Sequence, residues 1–279
     1  MVALVDIADL FVCRGGGHAE RTLPFRPVTK YFQENQPDGV PPLELTGERT
    51  LPDVPEENYW YRRHLAVYEW ITERVSGKRV VDLACGEGYG TGLLATAAKS
   101  VVGVEANPET FEHARLRYVA DNIRFERTLV EMFDEEVDAS VFLQTIEHVE
   151  DPKGILEQIK GTLAPGGIAY VSTPNLLTLA PPGAVKSNNP FHLREWRPDE
   201  YLELCLEVFD KVEMYGLFHA RVLRAHEIAI KAGWDTVHQK LRITKPFYDR
   251  FVPAISSKDF ALRTTDLNGC LDLIAVCYA

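Results

Sequence analysis

The chain has 279 residues, 46% apolar and 25% charged, enough for a large domain whose core needs no disulfide or metal to fold. Its formal net charge of −11 repels a phosphate backbone at long range, so nucleic acid is not the expected substrate, although Arg49, Arg62, Arg63 and His64 form a candidate local basic patch. Five scattered cysteines (Cys13, Cys85, Cys205, Cys270, Cys277) without CxxC spacing point to reduced thiols in the cytoplasm and exclude a zinc ribbon, and no apolar run approaches the roughly 18 residues of a membrane span.

Residues 1–45 combine Gly15-Gly16-Gly17 with Pro24, Pro27, Pro37, Pro41 and Pro42 and read as an irregular extension. Asp6 and Asp9 interrupt the apolar start, and no basic segment precedes it, so a signal peptide is not expected. Residues 46–279 read as the main domain. Tyr61, Leu65, Tyr68 and Ile71 recur at helical spacing within 56–75, and Ser76-Gly77 ends that helix. RVVDLA (79–84) is a buried strand, followed by the glycine-rich CGEGYGTG and a helix near 90–98. SVVGVE (100–105) is a second strand, and Asn107-Pro108 opens the next helix. NIRFER (122–127) and VDASVFLQ (137–144) are the third and fourth strands. Asp151-Pro152 starts a helix that ends before Pro165-Gly166-Gly167, and IAYVST (168–173) is the fifth strand. The chain is then irregular through Asn189-Pro190. A helix over 198–208, a strand over 209–216, a helical insertion at about 217–266 and a terminal strand LDLIAVCYA (271–279) complete it.

Seven strands alternating with helices at this spacing predict right-handed βαβ units in an α/β, doubly wound, mostly parallel, Rossmann-like sheet. Such sheets bind ligands beyond the carboxyl ends of their strands, where strand order reverses. The glycine-rich loop lies there. A dinucleotide fingerprint GxGxxG would need a third glycine, but Thr91 or Leu93 occupies that position in the two possible registers. Acids at Asp82 and Glu105, ending the first two strands, instead suit a ligand with an amino group, a sulfonium and ribose hydroxyls.

The ordered series VVDLACGEGYG, VVGVEAN, FLQTIEHVEDP and LAPGGIAYVSTPN, spanning about 79–175, resembles the class I S-adenosylmethionine (SAM) methyltransferases. The resemblance implies SAM as cofactor, bound by Asp82, Ala84, Gly86, Gly88, Glu105, Ala106 and Gln144. Ala84 stands where the family usually has its first glycine, and Leu129 where an acid often contacts the adenine. Tyr59 and Arg63, in the aromatic and basic stretch 46–64, are candidates for the methionine end of the cofactor; packing of that stretch into the core is the alternative.

Methyl transfer to a hydroxyl needs a base, a metal, or both. Glu147 and His148, after the fourth strand, are the candidate catalytic residues, and residues 144, 147 and 148 share one face if their turn is helical. A similar Glu-x-x-Glu-His motif binds a divalent metal in ubiquinone-pathway O-methyltransferases and small-RNA 2′-O-methyltransferases, with a later histidine completing the set in the RNA enzymes. That likeness implies Gln144, Glu147, His148 and His192 as ligands of Mg2+ or another divalent cation. His148 acting as a metal-free base, or orienting the acceptor, remains open.

GERTLP, ENYWYRRH, STPN, NPFHLREW, GLFH and the closing LDLIAV extend the likeness to the actinobacterial 1-O-methyltransferases of methylmannose polysaccharide synthesis. The expected partner is therefore a small-molecule or oligosaccharide acceptor bearing a sugar hydroxyl. A catechol, quinone precursor or secondary metabolite is the alternative, and a catalytically silent SAM-binding module a third. Neither nucleic acid nor membrane is an expected partner, and the oligomeric state, a homodimer included, is open.

Overall fold

Period-two alternation of apolar side chains builds the centre of the molecule. In β1 (Arg79–Leu83), Val81 and Leu83 join one buried layer while Val80 joins the opposite one. The same division runs through β2 (Ser100–Val104), where Val102 and Val104 oppose Val101. The structure is a computed structural model in which residues 31–46, 49–232 and 245–279 are described. The first 30 residues of the expected extension, and part of the expected insertion, lie outside them.

β3 (Ile123–Glu126), β4 (Val137–Leu143) and β5 (Leu163–Pro174) extend the parallel part of the sheet. β6 (Lys211–His219), β7 (Phe260–Arg263) and β8 (Asp272–Tyr278) complete the order β3-β2-β1-β4-β5-β8-β6-β7. The last strand runs antiparallel between β5 and β6. Strand order reverses between β1 and β4, which places the glycine-rich loop and the Gln144–His148 segment on the same edge.

Eight strands replace the expected seven. The addition, β7, is a four-residue edge strand inside the segment read as helical; its pairing with Gly216–His219 carries β6 three residues past its expected end. A run of four residues is too short for its periodicity to separate strand from helix.

One face of the sheet is covered by α1 (Asn58–Thr72) and α2 (Tyr89–Leu94), through buried residues such as Ile71 and Leu94. α3 (Pro108–Arg117) opens as predicted, with the Asn107 side chain accepting from the amides of Glu109 and Thr110. α4 (Pro152–Thr162) covers the opposite face with Ile155, Leu156 and Ile159. The short α5 (Leu176–Leu179) precedes α6 (Pro198–Leu206), which adds Tyr201 and Cys205 to that layer. α7 (Arg221–Lys231) and α8 (Lys245–Ala254) are the described helices of the insertion. Among the described residues, no helix is long and apolar enough to cross a membrane. Residues 31–46 contain no helix or regular strand; an isolated bridge, Phe32 to Glu44, folds them back on themselves.

Candidate functional site

Asp82 is fully buried near the end of β1, where Tyr68 donates its hydroxyl to Oδ1 at 3.0 Å and Thr91 donates to Oδ2 at 2.7 Å. Burial pushes its carboxyl up to about 7, against the lowering effect of those two hydroxyls. Asp82 thus braces the loop against α1 and α2 as well as standing at the expected ligand edge. Beyond it the backbone is left-handed at Ala84 (φ +53°), Gly86 (+58°) and Gly88 (+97°). The loop leaves the strand through conformations that glycine adopts readily and alanine does not. Glu105, following β2, crosses to this loop: its Oε2 accepts from the Gly86 amide at 3.0 Å and its Oε1 from the Asn107 amide at 2.8 Å. Ala106, beside it, is exposed. Asp82, Ala84, Gly86, Gly88, Glu105 and Ala106 accordingly line the ends of two adjacent parallel strands.

Past β4, the expected helical face does not form. Gln144 takes a left-handed conformation (φ +52°), and the following turn is a short 3-10 helix confined to Ile146–His148. Ser172 on β5 fixes Gln144, accepting from its amide at 3.2 Å and from its Nε2 at 3.0 Å. Gln144 thus stands before the turn that carries Glu147 and His148, with its backbone and side-chain N–H groups donated to Ser172.

Glu147, His148 and His192 do converge, each offering a ligand atom within 4.8 Å of the others. Glu147 is buried and accepts from Thr173 Oγ1 at 3.2 Å. Desolvation raises its carboxyl to about 8, and Asp272 and Glu195 add to the rise. His148 Nδ1 donates to the Phe191 carbonyl at 2.9 Å, which aims Nε2 to within 4.0 Å of Glu147 Oε1. His192 Nδ1 donates to Glu195 Oε1 at 2.6 Å, and its Nε2 accepts from Asn189 Nδ2 at 2.9 Å. In each ring the bond at Nδ1 selects the tautomer with a lone pair at Nε2. The two rings meet edge to face at 5.0 Å.

The loop carrying His192 is stitched to the turn in both directions. Leu193 and Arg194 donate their amides to the Glu147 carbonyl at 2.8 and 3.3 Å, while Phe191 accepts from His148. Ser187 donates its amide and hydroxyl to Glu195, and these bonds with His192 hold the Glu195 carboxyl below the usual range despite its burial.

Arg63 is buried and pairs with Asp272. Its guanidinium donates to both Asp272 oxygens, Nε to Oδ2 at 2.7 Å and Nη2 to Oδ1 at 2.5 Å, and also to the Leu271 carbonyl at 3.0 Å. Tyr59 shares a 2.8 Å hydrogen bond with His219 Nε2 and packs against Phe260, so it joins α1 to the carboxyl end of β6. Both side chains are buried. Asn189 and Glu195, from the NPFHLREW stretch, hold His192, and three residues not singled out from sequence also shape the site: Asp272, Ser172 and Glu87. Asp272 carried a signal, being a lone acid opening an otherwise apolar strand.

Comparison with known proteins agrees with this arrangement. A methyltransferase domain family matches residues 81–171, the span of β1 to β5. A protein of Mycolicibacterium smegmatis described as "Probable S-adenosylmethionine-dependent methyltransferase" is 37% identical over 253 residues, covering 86% of this chain and 97% of that protein. A ubiquinone biosynthesis O-methyltransferase of Pseudomonas putida is 31% identical over 114 residues, covering 38% of this chain and 49% of that one. Among solved structures, a SAM-dependent methyltransferase from Thermotoga maritima aligns with a TM-score of 0.54 at 18% identity, covering 80% of this chain and 94% of that one, a likeness of fold. With its glycine-rich loop at the reversal of strand order and a relative 37% identical along nearly its whole length, the chain belongs to the class I SAM-dependent methyltransferases.

Proposed function

We propose that the protein transfers the methyl group of SAM to a hydroxyl of a sugar, glycoside or oligosaccharide, at a centre formed by Glu147, His148 and His192. The observation that carries this reading is the convergence of one carboxylate and two imidazoles whose Nδ1 protons are both engaged, by Phe191 and Glu195. Bound SAM supplies an electrophilic methyl carbon, so the protein's task is to align an acceptor oxygen and dispose of its proton. The lone pair at His148 Nε2 can take that proton as the O–CH3 bond forms and the S–CH3 bond breaks. His148 suits this role because it is the partly exposed member of the three.

The same set fits a divalent cation. Three protein ligands leave coordination positions open, and an acceptor bonded to Nδ1–H is the usual outer partner of a metal-bound histidine. A bound cation would supply Lewis acidity for the acceptor hydroxyl. It would stabilise ionised Glu147 and would displace the Asn189 amide from His192 Nε2. Glu105 would accept from the ribose hydroxyls, and the exposed Leu129 would offer the adenine apolar surface in place of an acid.

A groove of about 370 Å3 borders Glu195 and carries Lys186, Arg194 and Arg197. Their side chains are hydrogen-bond donors only, which suits an oxygen-rich acceptor. O-methylation is further supported by the partial likeness to the ubiquinone-pathway enzyme, and the sugar acceptor by the resemblance of GERTLP, NPFHLREW and GLFH to the methylmannose polysaccharide enzymes.

A methyl-transfer screen over mannosides, other glycosides and catechols, with and without chelator, tests the reading. Turnover of a glycoside that falls on chelation supports it. Full activity in chelator removes the cation and leaves His148 as base. Turnover of catechols alone overturns the sugar acceptor.

A further inference from the structure

Glu87 occupies the turn between Gly86 and Gly88 and points away from the ligand edge into the protein, where it is 1% exposed. Its Oε2 accepts from the Tyr89 amide at 3.1 Å and from the Tyr118 hydroxyl at 2.8 Å. Its Oε1 accepts from Gln33 Nε2 at 2.9 Å, shares a hydrogen bond with His113 Nε2 at 3.1 Å and forms an ion pair with Arg117 Nη1 at 3.0 Å. Each of these last three partners also holds the segment that precedes α1. Gln33 lies in it, donating to the Pro52 carbonyl and accepting from the Leu43 amide. His113 Nδ1 donates to the Pro41 carbonyl at 2.7 Å, so both ring nitrogens face acceptors from a fully buried ring. Arg117 reaches Gln36 Oε1 at 2.7 Å and Asp53 Oδ2 at 2.6 Å.

We propose that this segment, from Gln33 to Asp53, is a working part of the SAM site: a latch that fixes the cofactor loop through Glu87 and thereby sets cofactor affinity. The loop needs such an anchor. Glycines at 86 and 88 permit its left-handed turns but lose the most conformational freedom when ordered. A loop ordered before the cofactor arrives does not charge that ordering against binding. Charge-assisted bonds to a buried carboxylate are the strong kind, and Glu87 collects four hydrogen bonds and an ion pair from three separate stretches of chain. The described residues of the segment, 33–46 and 49–53, are packed by a buried cluster of their own, formed by Leu43 and Leu51 with Val54. Gln33 and Glu87 are positioning residues; they act on SAM through the backbone of the loop.

The proposal rests on SAM as cofactor and is tested by titrating the full chain with S-adenosylhomocysteine, the demethylated product, in a calorimeter. Gln33→Ala is expected to raise the dissociation constant about tenfold, and Glu87→Ala further. The double variant should be no weaker than Glu87→Ala alone, because both substitutions open one latch. Hydrogen exchange of the amides at 86–90 should quicken in Gln33→Ala while that of β4 and β5 stays unchanged. Gln33→Ala is the decisive variant, since Glu87→Ala also leaves several buried donors unpaired and so costs stability. Product affinity within twofold of the parent in Gln33→Ala, even with a lowered melting temperature, overturns the latch. Failure of the parent itself to bind the product overturns the cofactor assignment and the latch with it.

Discussion

Arg63 and Asp272, 209 positions apart in the chain, form a buried bidentate ion pair that fastens the first turns of α1 to the opening residue of β8. Asp272 also faces Glu147 closely enough to raise its carboxyl, so the pair lies under the candidate catalytic turn. Removing one partner strands a buried charge. Arg63→Met is therefore expected to lower stability by about 3–5 kcal/mol. The double variant Arg63→Met/Asp272→Leu should recover most of that loss. Urea unfolding followed by circular dichroism measures both, and an unchanged midpoint for Arg63→Met would refute the assignment.

The elevated carboxyl of Glu147 sets a direction for pH. The unfolded group ionises near its usual 4.5, whereas the folded group holds its proton up to about 8. Between these values the folded state binds more protons, so the contribution of Glu147 to stability declines as pH rises through that window and levels off above it. Asp82, raised to about 7, acts in the same direction from about 3.8 upward. Glu147→Gln should flatten the decline and be the more stable protein at pH 8. A cation held by Glu147 needs the ionised carboxylate, so calorimetric Mn2+ affinity should climb over the same interval and vanish in Glu147→Gln.

Glu105 joins the glycine-rich loop to β2 and is the proposed acceptor for the ribose hydroxyls. Loss of charged hydrogen bonds worth about 1.5–3 kcal/mol predicts that Glu105→Ala weakens S-adenosylhomocysteine binding ten- to a hundredfold. Glu105→Gln, which keeps an acceptor oxygen but no charge, should fall between the two. Equal affinity for all three proteins would remove Glu105 from the cofactor site.

Ala84 and Gly88 should respond oppositely to exchange. Alanine in a left-handed conformation is strained by roughly 1–2 kcal/mol, so Ala84→Gly is expected to stabilise the protein slightly after the lost methyl contact is counted. Gly88→Ala meets the same backbone penalty at φ +97° and also places its Cβ 2.9 Å from that of Ala114. It should destabilise by more than about 1 kcal/mol. Melting temperatures of the two variants provide the comparison.

The parallel half of the sheet was legible because its signals are local. Val80-Val81 and Val101-Val102 are buried runs, Asn107-Pro108 and Asp151-Pro152 cap and open helices, and the loop glycines mark the ligand edge. Glu147, His148 and His192 could also be named in advance, two from one motif and the third from the NPFHLREW loop. The positive φ at Gln144, which replaces the expected helical turn, is a conformation glutamine rarely signals. The Arg63–Asp272 pair leaves no periodicity to read, because its partners lie 209 positions apart. The contacts of Glu87 are hidden for the same reason, since beyond the Tyr89 amide they come from residue 33 and from residues 113–118.

The position of β8 has a consequence for how the molecule is made. β3, β2, β1, β4 and β5 can assemble once residue 174 has been synthesised, whereas β6 and β7 have no route into the sheet until residues 272–278 arrive to bridge them to β5. During synthesis the parallel half therefore stands with the outer side of β5 unpaired while about a hundred further residues wait for residues 272–278. Until that strand is made, β5 and β6 each keep an open edge, which makes it the step on which escape from aggregation depends.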